Sequence, residues 1–497
     1  MYMNNSVSQI AQLNERLLKL DKYQKDIVYT DSNMIVYAGA GCGKTFTILS
    51  KIFYLISNNV LPEEILIISF TNNSVNDIRE KLNNLPIKVL TFHKLALQIL
   101  KNSGTQFNIC SQGLLKYTIE ENLKTCTLKT QKIILKYLGY KKSYKNFLFS
   151  QEFQSFVKMI ESYINIFKAN GISLKNVSNV KYTKLEKNIV ALIFKIYHEY
   201  MNEKLSTNSF DFDDLIMYSA EILYSSTKKT NVNYKYIFVD EFQDSSSIRL
   251  KLLKAIFLLT SAKIIVVGDD FQSIYRFSGC DLNIFLDFKN LFPNVSEKYI
   301  VKTYRNAQQL VNIASEFVMK NPLQIKKSIV SDKNTTTPYV FAPASSKIDT
   351  LIKILDYLLP QSKNIMVLTR NNNDIYEYIS SVLKYENGEI LYKEQRICHF
   401  TVHKSKGLEA DYVIVLNCDD TTLGFPNKIE DNILIQKLFP NSEIPFAEER
   451  RLFYVAITRC KIKTFFVYDK SNPSKFIQEL KWITFKKTHK IPIFKNY

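Results

Sequence analysis

The sequence predicts an α/β protein with two parallel-sheet domains, the first interrupted by a helical insertion. Three observations carry this reading. Short apolar runs rich in β-branched residues alternate with amphipathic helical stretches in NMIVYAGAG, EILIISFTN, IKVLTFH, YKYIFVDE and AKIIVVGDD, the rhythm of a parallel sheet wrapped by helices. A second alternating set runs from TPYVFA through NIMVLTRN, ICHFTVHKSKG and DYVIVLN to KTFFVYD. Between the third and fourth runs of the first set lie helical patterns such as FQSFVKMIESYINIF and NIVALIFKIYHEYM, with few strand signals. The expected boundaries are 1–100 and 208–295 for the first sheet domain, 101–207 for the insertion, 296–482 for the second sheet domain and 483–497 for a short basic tail. Two such domains imply a cleft between them.

A chain of 497 residues with 46% apolar side chains has material for full cores and too many of them for a disordered protein. Lys and Arg exceed Asp and Glu by 66 to 47, a formal +19. Such a field attracts polyanions, nucleic acid or acidic lipid, and is equally the charge of a solubility surface; charge alone does not choose. Cysteines at 42, 110, 126, 280, 398, 418 and 460 form no CxxC pair, which reads as reduced thiols without a zinc site. The start MYMNNSVSQIAQLNERLLKL has no continuous apolar core, and no stretch approaches the roughly 20 apolar residues of a membrane helix. A cytoplasmic location, or a host compartment for a viral chain, is therefore expected, with no membrane partner.

NMIVYAGAGCGKTFTILSKI reads as strand, glycine-rich turn and helix. Ala38, Gly39, Ala40, Gly41, Cys42, Gly43, Lys44 and Thr45 fall in the Walker A arrangement, with Ala38 in place of the first glycine. Backbone N–H groups of such a loop cradle phosphate oxygens, a lysine neutralises the β and γ charges, and a Thr hydroxyl binds Mg²⁺. ATP and Mg²⁺ are the expected cofactors. YIFVDEFQD delivers Asp240 and Glu241 to the C-terminal end of a strand, where α/β sheets bind ligands. Asp240 is expected in the Mg²⁺ shell with Thr45, and Glu241 as the group that orients and deprotonates the attacking water.

Together with SFTNNSVNDIREKL, TFHKLALQIL, FDFDDLI, VVGDDFQSIYRFSGC, TYRN, TVHKSKGLEADYV and EERRLFYVAITR, these motifs occur in an order that resembles the UvrD/Rep family of superfamily 1 helicases. The resemblance runs from about residue 20 to 480 and is weak in the insertion. It implies two RecA-like P-loop NTPase domains. It also implies Gln24 as adenine reader, Tyr304 stacking on the base, Glu409 at the ribose, and Arg305 and Arg459 as arginine fingers from the second domain. Gln243 and Gln272 become the links that sense the γ-phosphate.

Non-specific strand binding needs a basic track with aromatic stacking faces. The motifs offer Phe70, His93, Phe212, Tyr275, Phe277 and His403, although most aromatics of a chain with 33 Phe and 30 Tyr must be core packing. Phe277 stands where many relatives carry Trp, and Ser278 where some carry Arg. Larger relatives hold a helical subdomain, 2B, between LTRN and TVHKSKG; here about thirty residues separate them, so 2B is expected to be missing or reduced to a turn. No carboxylate cluster of nuclease type follows the last motif. The resemblance implies a DNA-dependent ATPase and helicase of 3′ to 5′ polarity acting on single-stranded and tailed duplex DNA. A protein-displacing or regulatory ATPase subunit, or an RNA motor, is the rival reading.

Overall fold

The computed structural model describes residues 15–82, 85–225, 232–335, 337–429, 432–438 and 444–494. The first 14 residues of the stretch read above as lacking an apolar leader lie outside this range. The first sheet is built from β1 (Asn33–Ala38), β2 (Ile65–Ser69), β3 (Lys88–Thr91), β6 (Tyr236–Val239), β7 (Lys263–Gly268) and β8 (Val295–Ile300), while β4 (Asn108–Ile109) and β5 (Ser209–Phe210) pair separately. Its order is β3-β2-β6-β7-β1-β8, parallel throughout. Every residue of β1, β2 and β6 is buried, as expected of parallel strands covered on both faces. The strands end at the P-loop, at SFTN, at TFHK, at VDEFQD and at GDDFQ, so the sheet gathers these motifs along one edge.

The insertion leaves and re-enters at the β4–β5 pair. Its first helix, Leu114–Thr125, starts behind Gly113 without a side-chain cap, and five more begin at Leu128, Tyr144, Gln151, Leu174 and Lys184 behind Thr127, Ser143, Ser150, Ser173 and Thr183, each of which accepts a bond from the backbone three residues on. Such caps satisfy orphan N–H groups and mark these helix starts in the sequence. One apolar core holds the bundle, with Phe147, Phe156, Ile160, Tyr163, Ile189 and Ile193 at its centre. Its base is ionic. Lys168 and Lys204, both nearly inaccessible, pair with Asp211 and Asp214 of FDFDD, and the Tyr200 hydroxyl donates to Asp211 Oδ2 at 2.7 Å. Losing one member of such a buried set costs about 3–5 kcal/mol.

The second sheet contains β9 (Tyr339–Ala344), β10 (Ile365–Thr369), β11 (Lys384–Glu386), β12 (Glu389–Tyr392), β13 (Gln395–Thr401), β14 (Ala410–Val415) and β15 (Cys460–Asp469), in the order β11-β12-β13-β10-β14-β15-β9. The five-strand body is parallel and β11–β12 is an antiparallel hairpin on one edge.

Three expectations need correction. The boundary at 296 cuts β8, which pairs with β1 from Asn33↔Val295 to Ala38↔Ile300; its half-exposed pattern is that of an edge strand and hides it among the buried runs. The residues from 483 are no separate tail: a helix runs Lys475–Thr488, and the chain then pairs with β9, with Phe341 N donating to Pro492 O and Phe494 N to Phe341 O at 2.8 Å. The segment in place of 2B is more than a turn, since it forms the β11–β12 hairpin of the second sheet.

A loop beyond β14 reaches back to the insertion. Leu434, Ile435 and Leu438 join the insertion core, Tyr137 donates to Asn432 Oδ1 at 2.7 Å, and Lys437 pairs with Glu186 at 2.7 Å. The loop clasps the helical bundle to the second domain.

Candidate functional site

The cleft between the two sheets has a volume of about 390 Å³ and is lined by Gly41–Phe46, Asp240, Glu241, Gln272, Arg305, Gly407, Glu409 and Arg459, together with Ser74, Asp77 and Lys81 from the helix after β2. Chain from both halves of the molecule therefore meets at one cavity. Gly41 and Gly43 have φ of 68° and 77°, the left-handed region that L side chains avoid, and the helix Lys44–Ser57 starts directly behind them. The loop thereby faces the cleft with its N–H groups and a helix N-terminus.

Lys44 Nζ donates to Glu241 Oε1 at 2.5 Å. Burial opposes the charge of both groups, yet each holds the other ionised: the Lys44 ammonium lies above its ordinary range because of Glu241, Asp240 and Asp269, and the Glu241 carboxyl lies below its own because of Lys44 and Lys406. Asp240 is pushed up by burial and by the adjacent Glu241. Glu241 itself sits at φ 51°, a conformation costing a non-glycine residue about 1 kcal/mol or more, and it places the two neighbouring carboxylates on the cleft wall.

Glu241 Oε2 accepts from Gln243 Nε2 at 2.5 Å, and Gln243 Oε1 accepts from the Asp269 N–H at 3.0 Å. A Cβ on Gly268 would stand 2.4 Å from Gln243 Oε1, so the glycine of GDDFQ makes room for this amide. Gln272 Nε2 donates to Asp269 Oδ2 at 2.6 Å, while its Oε1 accepts from Arg459 Nη2 at 3.0 Å. The second-domain arginine and the first-domain glutamine are thus in direct contact. Burial, then Arg305, lowers the Arg459 guanidinium to about 9.

Arg305 is placed differently from expectation. It follows β8 in the connector: Tyr304 N donates to Gly41 O at 2.9 Å and Thr303 Oγ1 to Ala40 O at 2.8 Å, which bonds this segment to the P-loop. Its guanidinium donates from Nε to Glu409 Oε2 at 2.8 Å and from Nη1 to Thr458 O at 3.4 Å. Arg305 and Glu409 hence form one ion pair across the cleft mouth. Gln24 is fully buried, its Oε1 accepting from the Asp21 N–H and its Nε2 donating to Thr47, with Nε2 and the Tyr304 ring both within 4 Å of where a Gly43 Cβ would stand. Gln24 and Tyr304 therefore flank the same loop, but the glutamine amide is engaged within the protein.

The aromatic candidates fall into two groups. Phe70 packs edge-on to Phe92, and His93 meets Phe212 at 5.1 Å between centroids. Tyr275, Phe277 and His403 form a second set with centroids 5.6–6.3 Å apart, and Tyr275 donates to His403 O at 3.2 Å. Phe212 and Phe277 are 53% and 56% exposed, which suits stacking platforms and not core. Burial, with Arg249 beside His93 and Arg370 beside His403, lowers both imidazoles to about 4, so they are neutral at pH 7. Arg249 lies over the Phe70 ring at 5.2 Å and donates to Asp244 O, joining the first group to the VDEFQD turn.

Several residues of this site escaped the sequence reading. Lys327 is buried beneath the P-loop, paired with Asp269 and Asp270 and donating to Ala38 O at 3.2 Å. Lys406 of TVHKSKG reaches the first domain, with Asp244 Oδ2 at 2.5 Å and Gln272 O at 2.8 Å. Arg451 Nε donates to Ser273 O at 2.6 Å. The lysine in KSKG and the arginine pair in EERR were visible motif positions, whereas Lys327 lies in a connector without pattern.

Fold and cleft together define a P-loop NTPase of two RecA-like domains. Residues 20–293 match the UvrD/REP helicase N-terminal domain and 378–471 the UvrD-like helicase C-terminal domain. The chain belongs to the UvrD/Rep family of ATP-dependent DNA helicases. It is 28% identical over 479 residues to DNA helicase IV of Escherichia coli K12, covering 92% of this chain and 69% of that protein. It is 28% identical over 418 residues to the ATP-dependent DNA helicase Rep of Buchnera aphidicola subsp. Baizongia pistaciae, covering 80% and 58%. A probable DNA helicase of Mycoplasma pneumoniae is 26% identical over 482 residues, covering 90% and 83%. No helix among the described residues is long and apolar enough to cross a membrane.

Proposed function

We propose that this chain hydrolyses ATP to move 3′ to 5′ along single-stranded DNA and separates the duplex ahead of it. The observation that carries this is the Gln272–Arg459 bond in a cleft of about 390 Å³ lined by both domains: a side chain placed to sense bound nucleotide is held by an arginine of the other domain, so closure of the cleft on ATP would act on both. The cleft's donor set fits a triphosphate, with Lys44, Arg305 and Arg459 facing two carboxylates.

In this reading Lys44 leaves Glu241 for the β and γ oxygens, which frees Glu241 to orient and deprotonate water. Thr45 and Asp240 would hold Mg²⁺, which neutralises charge on the phosphates when bound. Arg459 and Arg305 stabilise charge that develops on the transferred phosphoryl group. Tyr304 stacks on adenine, Gln24 reads its edge after giving up Thr47 or Asp21, and Glu409 turns from Arg305 to the ribose. Gln243 and Gln272 report the γ-phosphate to the 270–280 turn that carries Tyr275 and Phe277. Phe70, His93, Phe212 and His403 complete the strand track. The 3′ to 5′ polarity rests on the family resemblance.

The hairpin that replaces 2B favours a second reading, in which translocation displaces bound protein and unwinding is weak. Strand displacement on 3′-tailed and 5′-tailed duplexes, run beside ATPase stimulation by DNA and RNA, separates the readings. Unwinding from the 3′ tail alone supports the first. DNA-stimulated ATPase without strand separation supports the second, and stimulation by RNA alone would overturn both.

A further inference from the structure

At the base of the helical insertion lies a cavity of about 440 Å³ that shares no lining residue with the nucleotide cleft or with the aromatic candidates of the strand track. It sits where the insertion helices Gln151–Ala169 and Lys184–Ser206 meet Phe212–Ser225 and Ser247–Thr260 of the first sheet domain. Small-molecule sites span roughly 300–1,000 Å³, so the volume suits one compact ligand. Gly171, at φ 56°, turns the chain along the lining, and a Cβ there would meet nothing within 4 Å, so the turn leaves this side of the cavity open.

One wall is aromatic. Phe167 stands edge-on to Phe194 at 5.1 Å and to Tyr197 at 5.5 Å between centroids. Met201 and Met217 line the cavity beside these rings, and flexible methionine side chains re-pack around ligands of different outline.

Into this apolar lining the first sheet domain places a carboxylate. Phe212 meets His93, whereas Asp213, about 100° further round the same helix, lines the cavity. The Asp213 N–H donates to Asp211 Oδ1 at 3.1 Å, but its carboxylate has no hydrogen bond or ion pair among the described residues. The cations whose charge reaches it are committed elsewhere, Lys168 to Asp211 and Asp214 and Arg249 to Asp244 O. A largely buried carboxylate without a partner is unfavourable, and the site is therefore incomplete by one cation.

We propose that this cavity binds an organic cation with a flat apolar body, an aryl-alkyl ammonium, whose charged group pairs with Asp213 while its body packs against Phe167, Phe194 and Tyr197. The ring faces attract cations, and an ammonium brings donors to a group that only accepts. An anion meets like charge at Asp213, and a neutral apolar molecule fills the volume but leaves the carboxylate unpaired. The bound cation touches the insertion and the first sheet domain at once, so it ties the two together beside the FDFDD segment that joins them.

The test uses the full chain at pH 8, above the value of about 6 to which burial pushes the Asp213 carboxyl. Tryptamine is titrated calorimetrically beside 3-ethylindole, which lacks the ammonium, and indole-3-propionate, which reverses the charge. Wild type is expected to bind tryptamine saturably and either other probe at least about tenfold more weakly, as loss of one charge-assisted bond implies. Asp213→Asn keeps the shape of the side chain, and should weaken tryptamine about 10- to 100-fold while leaving 3-ethylindole within about twofold. Met217→Trp, which fills the cavity, should abolish binding of both. Tryptamine should also slow amide exchange in the Lys184–Ser206 and Phe212–Ser225 helices of wild type and in neither helix of Asp213→Asn. Absence of saturable tryptamine binding to wild type would overturn the proposal. So would equal tryptamine affinity in wild type and Asp213→Asn, or equal affinity of wild type for tryptamine and 3-ethylindole.

Discussion

The nucleotide cleft and the helical insertion solve opposite problems with charge. In the cleft, Lys44, Lys327, Lys406, Asp240, Glu241, Asp269 and Asp270 are crowded together and paired across elements distant in sequence. In the insertion, an apolar core behind Ser and Thr caps leaves most lysines on the outside, where their pairs, such as Lys195 with Glu199, are solvated, and the buried ionic contacts are gathered at its base. Buried charge is expensive unless every member is matched, so the cleft tolerates few substitutions. The insertion needs only a helical period and volume, so its surface is free to take on charge.

Removing one charge from the cleft has the largest expected effect. Lys44→Ala is expected to reduce ATP turnover by at least about 10²- to 10³-fold, the loss typical of deleting a preorganised group that meets transition-state charge. Glu241→Gln should retain nucleotide affinity and lose a similar factor, 10²- to 10⁴-fold being about the range of general-base catalysis. Steady-state turnover and nucleotide titration check both; hydrolysis by Glu241→Gln within a few-fold of wild type would reject the base assignment.

At the base of the insertion, Asp214→Asn leaves Lys168 and Lys204 with Asp211 alone. Chemical denaturation should show a loss of about 3–5 kcal/mol. The clasp is the apolar counterpart. Leu434→Ala should cost about 2–3 kcal/mol of packing and loosen the bundle from the second domain, read as faster amide exchange in the Leu128–Leu138 and Gln151–Ala169 helices with the P-loop helix unchanged. Equal exchange in all three would show that the clasp does not tie the insertion down.

The smallest effect expected depends on pH. Burial, aided by Asp211 and Asp214 and opposed by Lys168, pushes the Asp213 carboxyl up to about 6 from its ordinary 3.8. A carboxyl raised in the folded state binds its proton more tightly there than when unfolded. Its stabilising contribution is complete below 3.8 and disappears as pH rises through about 6. Asp213→Asn should therefore match wild type at pH 3.5 and exceed it at pH 8 by on the order of 2 kcal/mol. Denaturation midpoints at the two pH values check the sign.

The same contrast explains what the sequence made legible. Residues that line the cleft belong to short motifs with fixed spacing, and Gly41, Lys44, Glu241, Gln272 and Arg459 all reach it. The strands carrying them are fully buried and read as continuous apolar runs. By contrast β8 is half-exposed and offers no continuous apolar run, so the expected boundary falls inside it and Arg305, which follows it in the connector, counts with the second domain in the sequence. Lys327 has no local pattern because its partners, Asp269 and Asp270, are more than fifty residues away. The clasp was invisible for the same reason: Leu434, Ile435 and Leu438 form a short apolar group whose partner core is built some 250 residues earlier.

In the proposed cycle the two domains communicate through Gln272 at the cleft. Replacing it with Ala removes the bonds to Asp269 and Arg459 but none of the groups proposed to anchor phosphate or stack on bases. Basal and strand-stimulated ATPase of Gln272→Ala, measured beside nucleotide and oligonucleotide affinity, is the most direct test. The account predicts affinities near wild type and a stimulation ratio reduced several-fold. An unchanged ratio would contradict it and leave Gln272 as a residue that merely satisfies the buried turn.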